Sequence, residues 1–259
     1  MKNKTLFFRN LFFSEEGKED NESIHQATLY LASSLNKNKK PIIISNAKFS
    51  KSSEIISDKE GLDSLLRKNP DINLVIITLI EHCFDKTREL IHHIKEKVSA
   101  YIAIGGIMAT LNPEHVFTHM PEANIVLKGD GEEVLPKLQS ILEGTTPNSL
   151  LDEKRKSELS NLNGLIFRNK EDIIRSKDST INKVKDLDKV YIDFSLMNKE
   201  NLKEGLNITT SKGCNNGCFF CTSTDKGKFR AKTVEKIKDI LNNYKKRLIE
   251  IYKKEEKIP

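Results

Sequence analysis

The sequence lacks the features that mark membrane, secreted and nucleic-acid-binding proteins. No uncharged apolar run reaches the roughly 18 residues that a spanning helix needs. The basic and apolar amino-terminal residues are not followed by a small-residue cleavage site, which argues against a secretion signal. The net charge is +6, but acidic residues are interspersed and no basic block stands alone. This pattern favours solvated faces over nucleic-acid binding. We therefore expect a cytoplasmic protein with no membrane span and no nucleic-acid partner.

Cysteine is scarce, yet it is concentrated in one place. Three of the four cysteines lie within KGCNNGCFFCT, residues 212–222. They are Cys214, Cys218 and Cys221. Such clustering argues against the disulfide framework of small secreted domains and favours metal binding. A structural zinc ion needs four ligands, and the nearest preceding histidine, His119, lies more than 90 residues away. The fourth cysteine, Cys83, follows an apolar run and is expected to be a buried small hydrophobe.

Strand and helix patterns alternate over the first 145 residues. Short continuous apolar runs predict five strands, at residues 4–13, 41–45, 74–79, 101–104 and 124–127. Helical spacing of apolar residues predicts helices at residues 23–36, 62–67, 85–98, 113–118 and 132–142. Buried strands joined by helices predict an α/β domain with a doubly wound, flavodoxin- or Rossmann-like parallel sheet. Ligands of such sheets bind at the carboxyl ends of the strands.

The rest of the chain divides into a connector and a second structured part. Residues 146–205 are predicted to be a linker that contains a β-hairpin, formed by residues 163–168 and 172–175. Residues 206–211 predict a strand, and the thiol cluster follows it directly. A long helix is expected from Thr233, a residue type that is favourable at a helix amino terminus. The predicted units are therefore 1–145, 146–205 and 206–259.

Three closely spaced thiols suit an iron–sulfur cluster better than zinc. A cubane cluster is usually held by four thiolates, so three would leave one iron open to a small molecule. The spacing C-x3-C-x2-C wraps a loop around one corner of the cluster, and Gly213 and Gly217 would allow tight turns. Phe219 and Phe220 would add an apolar shell that limits water. Three free or zinc-bound cysteines remain the alternative.

The surroundings of the thiols carry a family resemblance. The stretch ITTSKGCNNGCFFCTSTDKGKFRAKTVEKIKDIL resembles the first barrel strand, cluster loop and first helix of the radical S-adenosylmethionine (SAM) superfamily. The resemblance implies that Cys214, Cys218 and Cys221 bind a [4Fe-4S] cluster and that Phe220 lies beside the adenine of SAM. In that family a reducing partner, such as flavodoxin or ferredoxin, supplies an electron that cleaves SAM to a 5′-deoxyadenosyl radical. Arg230 matches a basic position common in the family, and a structural, SAM-proximal or plain surface role is open.

The first 145 residues resemble a second known module. The segments HQATLYLASSL, PDINLVIITL, GGIMATLNPE and VLKGDGEEVLPKL follow the order of the cobalamin-binding domain that precedes the cluster motif in many radical SAM enzymes. The resemblance implies cofactor-contacting residues at the strand ends, namely Thr78, Ile80, Gly105, Gly106, Gly129 and Gly131. The GDGE segment, residues 129–132, stands where the family usually has Gly-Glu-Gly-Glu. The Asp-x-His-x-x-Gly motif, whose histidine ligates cobalt in other cobalamin domains, is missing after the first strand, so cobalt would have no such ligand.

The two resemblances together imply a cobalamin-domain radical SAM enzyme. Its expected reaction is methyl transfer to an unreactive carbon or phosphorus centre of a small-molecule or peptide substrate, with rearrangement or ring closure as the next option. The alternatives are a non-catalytic cobalamin-binding-like module with a vestigial cluster loop, and an iron–sulfur electron-transfer protein. A full TIM-type barrel takes roughly 200 residues, and only about 50 follow Leu206. We therefore expect the chain to hold just the first strand–helix unit of a partial barrel.

Overall fold

The structure is a computed structural model of the chain. It describes residues 4–8, 26–45, 59–147, 151–177, 181–197, 199, 202, 205–221 and 228–255. Residues 9–13 of the first predicted strand and 23–25 of the first predicted helix lie outside this description. Among the described residues, no helix combines the length and the apolarity that crossing a bilayer requires.

The described elements follow the predicted alternation over the first part of the chain. The strands are β1 Lys4–Phe8, β2 Ile42–Ser45, β3 Ile72–Thr78, β4 Tyr101–Gly105, β5 Ile125–Leu127, β6 Leu165–Asn169, β7 Asp172–Arg175, β8 Ser211–Lys212 and β9 Arg230–Ala231. The helices are α1 Gln26–Lys37, α2 Lys59–Lys68, α3 Phe84–Lys97, α4 Ile107–Leu111, α5 Pro113–His119, α6 Leu135–Leu142, α7 Glu153–Ser160 and α8 Val234–Glu255.

Seven strands form one sheet in the order β2-β1-β3-β4-β5-β6-β7. Strands β1 to β5 pair in parallel, and β6 and β7 are antiparallel additions at one edge. The order of the first five strands is that of flavodoxin-like sheets, in which the chain reverses direction across the sheet between β1 and β3. The predicted doubly wound α/β fold is therefore confirmed. Its carboxyl edge is the place where ligands of such sheets bind.

Alternation along the buried strands sends side chains into two separate cores. On β3, Val75 and Ile77 belong to one core, which packs against α2, α3 and α5. Leu74 and Ile76, the alternate residues of the same strand, belong to the opposite core, which packs against α1, α6 and α7. Because successive side chains of a strand point to opposite faces, a continuous apolar run is required wherever both faces are covered by helices. The run at residues 74–79 was recognisable for this reason.

The segment predicted as a linker contributes to the first domain. Its hairpin forms as predicted, but β6 pairs antiparallel with β5, so both strands extend the sheet. The segment predicted as a linker also contains helix α7. Asp152 caps this helix by accepting a hydrogen bond from the Arg155 amide at 2.8 Å. The helix was missed because its sequence is almost wholly polar, with Leu159 as its one buried residue.

The predicted strand at residues 206–211 is wrong, since only Ser211 is in a strand. Strand β8 pairs with β9 alone, as a two-stranded antiparallel sheet. An extended segment counts as a strand only when its backbone groups pair regularly with a neighbour. Among residues 206–210, the Thr210 carbonyl accepts from the Lys232 amide at 2.8 Å, whereas the Thr209 amide donates to the Tyr30 hydroxyl at 3.0 Å. Leu206 and Ile208 instead pack against a third apolar cluster, which α1 and α8 share.

Helix α8 begins where the sequence predicted. Thr233 accepts a hydrogen bond from the Lys236 amide at 3.2 Å, which is the expected capping contact. Its own hydroxyl donates to Asp188 at 2.7 Å, and its amide donates to the same carboxylate at 3.0 Å. These bonds lower the pKa of Asp188, although partial burial opposes them. The start of α8 is therefore fixed to the segment that packs on α1.

Candidate cofactor site at the carboxyl edge of the sheet

The residues that the sequence assigned to cobalamin lie at the carboxyl ends of three adjacent strands. Thr78 ends β3 and is in register with Gly105, which ends β4. The Leu79 amide donates a hydrogen bond to the Gly105 carbonyl at 2.8 Å, so pairing continues one residue past the strand. Ile80 follows directly, and Gly129 and Gly131 come just after β5. The fold brings all of these predicted positions to one edge, although their contact with a cofactor stays a prediction.

Gly105 and Gly106 meet different steric demands. Gly106 has φ of +95° and ψ of −179°, a region that is essentially restricted to glycine. A Cβ there would lie 2.6 Å from the Leu79 carbonyl oxygen and 3.1 Å from Cγ2 of Thr78. A Cβ on Gly105 would meet only the Leu127 carbonyl oxygen, at 3.8 Å. The fold therefore requires glycine at 106 and leaves open space beside 105.

A buried threonine that the sequence analysis did not single out joins two loops of this edge. The Thr110 hydroxyl donates to the Gly106 carbonyl at 2.7 Å and accepts from the Gly129 amide at 3.0 Å. Thr110 is 6% exposed. Its position four residues after Gly106, one turn into α4, was the signal available in the sequence. This hydroxyl fixes the loop after β4 to the loop after β5.

The three cysteines lie on a loop with a narrow neck. Strands β8 and β9 place Lys212 opposite Arg230 at the two ends of the loop. Gly213 has φ of +94°, and a Cβ there would lie 2.0 Å from the Lys228 carbonyl oxygen. Glycine at 213 is therefore required to close the neck. The sequence predicted a similar need at Gly217, but that residue has no positive φ, and an added Cβ would meet nothing within 4 Å.

The thiols are accessible on this loop. None of them is in a disulfide; Cys214 and Cys218 are exposed, and Cys221 is half-buried. The Cys214 sulfur accepts a hydrogen bond from the Asn216 amide at 3.4 Å, and the Cys221 amide donates to the Cys218 carbonyl at 3.2 Å. In the described part of the chain, no three His, Cys, Asp or Glu side chains are arranged to hold a metal ion. The three thiols share one loop, and their role as ligands of a cluster stays a prediction.

Two aromatic rings of the same loop are open to solvent. Phe219 is 95% exposed and Phe220 is 75% exposed. The rings meet edge to face, with centroids 5.6 Å apart. The two rings that we expected to form an apolar shell around a cluster are therefore exposed to solvent in this structure. The predicted position of Phe220 beside an adenine stays a prediction. Adjacent large apolar side chains that are exposed to solvent are typical of binding surfaces.

Two carboxylates connect the neck of the loop to the sheet edge, and Asp130 is the one that contacts both strands of the neck. Asp130 accepts from Lys212 at 2.7 Å, from Arg230 at 3.3 Å and from the Val184 amide at 2.9 Å. Glu132 also pairs with Lys212, at 3.3 Å. Burial alone would lower the pKa of Lys212, but the carboxylates of Glu132 and Asp130 outweigh it and raise that pKa above its ordinary value. Lys212 therefore remains charged at neutral pH.

Backbone pairing reinforces this connection. Gly129 and Asn182 form a parallel bridge, in which the Asp130 amide donates to the Asn182 carbonyl at 2.8 Å and the Asn182 amide donates to the Lys128 carbonyl at 2.9 Å. Arg230 also donates to the Val184 carbonyl. The Arg230 guanidinium is therefore a structural link between the neck and the sheet edge, with a side chain that is 13% exposed, and its proximity to SAM stays a prediction.

The remaining cysteine behaves as the sequence predicted. Cys83 is 2% exposed and lies between β3 and α3. Burial raises the pKa of its thiol, and nearby Lys86 only partly opposes this effect. A buried, protonated thiol is a poor metal ligand, so the exposed loop holds all the cysteines that are suited to ligation.

The comparisons with known proteins agree with the resemblance drawn from the sequence. No protein-family model matches the chain. The anaerobic magnesium-protoporphyrin IX monomethyl ester cyclase of Synechocystis sp. is 25% identical over 125 residues, which cover 46% of this chain and 22% of the cyclase.

Solved structures give a broader match. One is TsrM from Kitasatospora setae, a radical SAM methyltransferase whose structure has tryptophan and a SAM analogue bound. It matches with a TM-score of 0.62 at 16% identity, and the match covers 94% of this chain and 45% of the TsrM chain. The same enzyme with cobalamin and a [4Fe-4S] cluster bound has a TM-score of 0.61 at 15% identity, over 92% of this chain and 46% of its own. At such identities the match establishes the fold. The chain spans less than half the length of each of these proteins.

The predicted resemblance is thereby confirmed: this chain shares the fold of the matched part of a cobalamin- and cluster-binding radical SAM methyltransferase, and part of its sequence is similar to that of a cyclase.

Proposed function

We propose that this chain supplies the cobalamin-binding domain and the cluster-binding loop of a radical SAM enzyme. In this proposal Cys214, Cys218 and Cys221 bind a [4Fe-4S] cluster, and the carboxyl edge of β3, β4 and β5 binds cobalamin. The observation that carries the proposal is the placement of the three-cysteine loop, which ion pairs attach to the same sheet edge that carries the paired glycines. A cofactor on the loop and a cofactor on the sheet edge would then be held at a fixed position relative to each other.

The donor set fits an iron–sulfur cluster. Thiolates are the ligands that such clusters prefer; none of the three on this loop is in a disulfide, and Cys214 and Cys218 are exposed. Gly213 closes the neck, so the ends of the loop are held while its thiols can adjust around a cluster. Because a fourth thiolate is not at hand in the loop, one iron would stay available to SAM. The cluster, when bound, supplies the electron for reductive cleavage of SAM.

The sheet edge fits a flat backbone-contacting ligand. The space beside Gly105 is open, and no neighbouring atom requires glycine there. Glycine at such a position allows a ligand to lie against bare backbone. Thr110 holds the two flanking loops at a fixed separation through its bonds to Gly106 and Gly129. These residues would position cobalamin and exclude water from one of its sides.

Methyl transfer is the reaction that we favour, on a small-molecule or peptide substrate. The match that covers nearly the whole chain is to a methyltransferase. Ring closure is the second candidate, because the protein that matches in sequence is a cyclase. An external reductant such as flavodoxin or ferredoxin would supply the electron in both cases.

Anaerobic reconstitution with iron and sulfide tests the ligand assignment. The wild-type chain should take up about four irons, as a cubane cluster requires. Cys218→Ala should lose the visible absorbance of the cluster and most of the iron, because two thiolates cannot hold a cubane. Cys83→Ala is the matched control and should keep the wild-type iron content, since Cys83 is buried away from the loop surface.

The rival functions give different outcomes. If a cluster assembles but its electron paramagnetic resonance (EPR) signal does not change when SAM is added, the result would favour an electron-transfer protein. Binding of hydroxocobalamin without any iron uptake would favour a non-catalytic cobalamin module. Iron content that survives Cys218→Ala would refute the assignment of the three ligands.

A further inference from the structure

Two cations at the neck of the thiol loop converge on one carboxylate that lies 80 or more residues earlier in the chain. Lys212 and Arg230 face each other across β8 and β9, and both donate to Asp130, at 2.7 and 3.3 Å. Glu132 gives Lys212 a second partner at 3.3 Å. The neck is therefore held from both strands by a carboxylate of the sheet edge.

These side chains are shielded from water. The exposed fractions are 15% for Asp130, 11% for Glu132, 25% for Lys212 and 13% for Arg230. Ion pairs in such surroundings are screened little by salt. Removing the Asp130 charge leaves Lys212 with Glu132 alone as its carboxylate partner and leaves Arg230 with the Val184 carbonyl, and such a loss around partly buried charges costs more than the loss of a surface pair.

The Asp130 carboxylate is also held in place by contacts other than those to Lys212 and Arg230. Its second oxygen accepts from the Val184 amide at 2.9 Å, and its backbone is bridged to Asn182. The preceding residue, Gly129, donates to Thr110, which in turn holds Gly106. A continuous series of hydrogen bonds therefore runs from the paired glycines to the neck of the thiol loop.

We propose that Asp130 is a positioning residue that holds the three-cysteine loop against the carboxyl edge of the sheet. It acts through Lys212 and Arg230 and touches no cofactor itself. The inference deepens the proposed function and rests on it in one respect, namely that the loop binds the cluster and the sheet edge binds cobalamin. Two cofactors bound at these places would keep a fixed separation because one carboxylate ties their supports together.

Hydrogen exchange of the metal-free full chain, measured peptide by peptide, tests this proposal. Asp130→Asn keeps the size of the side chain and an oxygen for the Val184 amide, removes the charge, and replaces the oxygen that accepts from Lys212 with an NH2 group. We expect exchange about tenfold faster or more in peptides that cover residues 206–214 and 228–233. Peptides that cover α3 should be unchanged. Glu114→Gln is the matched control, because Glu114 pairs with Arg175 far from the loop in sequence and should leave the neck protected.

A double-mutant cycle identifies the contact. Lys212→Met should loosen the same peptides, and the double variant Asp130→Asn with Lys212→Met should accelerate exchange by less than the sum of the two single effects. The reason is that both single variants lose the Lys212–Asp130 pair, while the Asp130–Arg230 and Lys212–Glu132 pairs are each lost in only one of them. Exchange in the neck within about twofold of wild type for Asp130→Asn, or equal acceleration in every peptide, would overturn the proposal. Additive effects in the cycle would overturn it as well.

Iron uptake separates this inference from the proposed function. Reconstituted Asp130→Asn should keep the wild-type iron content, because it removes no thiol; loss of iron with a neck that exchanges as in wild type would contradict a positioning role. If the wild-type chain takes up no iron, the proposed function fails while the exchange result for Asp130 still stands. If iron binds as proposed and the neck is insensitive to Asp130→Asn, only the inference fails.

Discussion

Substitution of Gly106 by alanine should destabilise the fold far more than the same substitution one residue earlier. The backbone of Gly106 is in a region that costs a residue with a Cβ about 1–3 kcal/mol. The new Cβ would also lie 2.6 Å from the Leu79 carbonyl oxygen. That backbone cannot easily move, because the Leu79 amide is bonded to the Gly105 carbonyl at 2.8 Å. Relief of such overlap in a packed region costs about 1–3 kcal/mol more.

The expected loss of unfolding free energy is therefore about 2–6 kcal/mol, a large part of the roughly 5–15 kcal/mol of a typical domain. Gly105→Ala is the matched control. Its Cβ would meet only an oxygen at 3.8 Å, so its effect should stay within about 1 kcal/mol of wild type. Urea denaturation followed by far-ultraviolet circular dichroism measures both, since the chain has no tryptophan for fluorescence. Losses that differ by less than about 1 kcal/mol would refute the steric reasoning.

Two further variants test the site and its support. Thr110→Val removes the hydroxyl that accepts from the Gly129 amide and should lower the unfolding free energy by about 1–3 kcal/mol in urea denaturation. Thr118→Val, at an exposed position, is the control and should lower it by less than about 0.5 kcal/mol. Equal losses of unfolding free energy would contradict the bridging role of Thr110. Burial lowers the pKa of Lys95 to about 8, with Glu122 opposing. Between about pH 8 and 10.4, Lys95 is then protonated in the unfolded chain but largely neutral in the folded one. The unfolding free energy of wild type should therefore rise relative to that of Lys95→Met as the pH increases across this range. A difference in unfolding free energy that does not change with pH would show that the pKa of Lys95 is not lowered.

The sequence was most informative where local pattern and burial coincide. The strands β3 and β4 are buried on both faces, so their apolar runs could be read directly. The start of α8 was predictable from Thr233, whose capping bond is local. In contrast, α7 has almost no apolar pattern, and its only clear signals are Asp152 at its start and Leu159 on its buried side.

Features that depend on distant pairing could not be read from the sequence. The hairpin was predicted, but its addition to β5 depends on contacts between segments about 40 residues apart. Residues 206–210 have strand-like composition, but the bond from the Lys232 amide to the Thr210 carbonyl does not extend into a ladder, and so they are not a strand. The bond of Asp130 to Lys212 spans 82 residues. The motif GDGE marked Asp130 as part of a resemblance, whereas its contact with the neck of the thiol loop emerged from the fold.

Mössbauer spectroscopy of the reconstituted, iron-57-labelled chain tests the central claim most directly. If three thiolates hold a cubane and leave one iron open, about one quarter of the iron signal should change its isomer shift when SAM is added. The remaining three quarters should keep the parameters of thiolate-bound iron. A spectrum that is unaltered by SAM would contradict the account, as would one that shows single iron ions in place of a cluster.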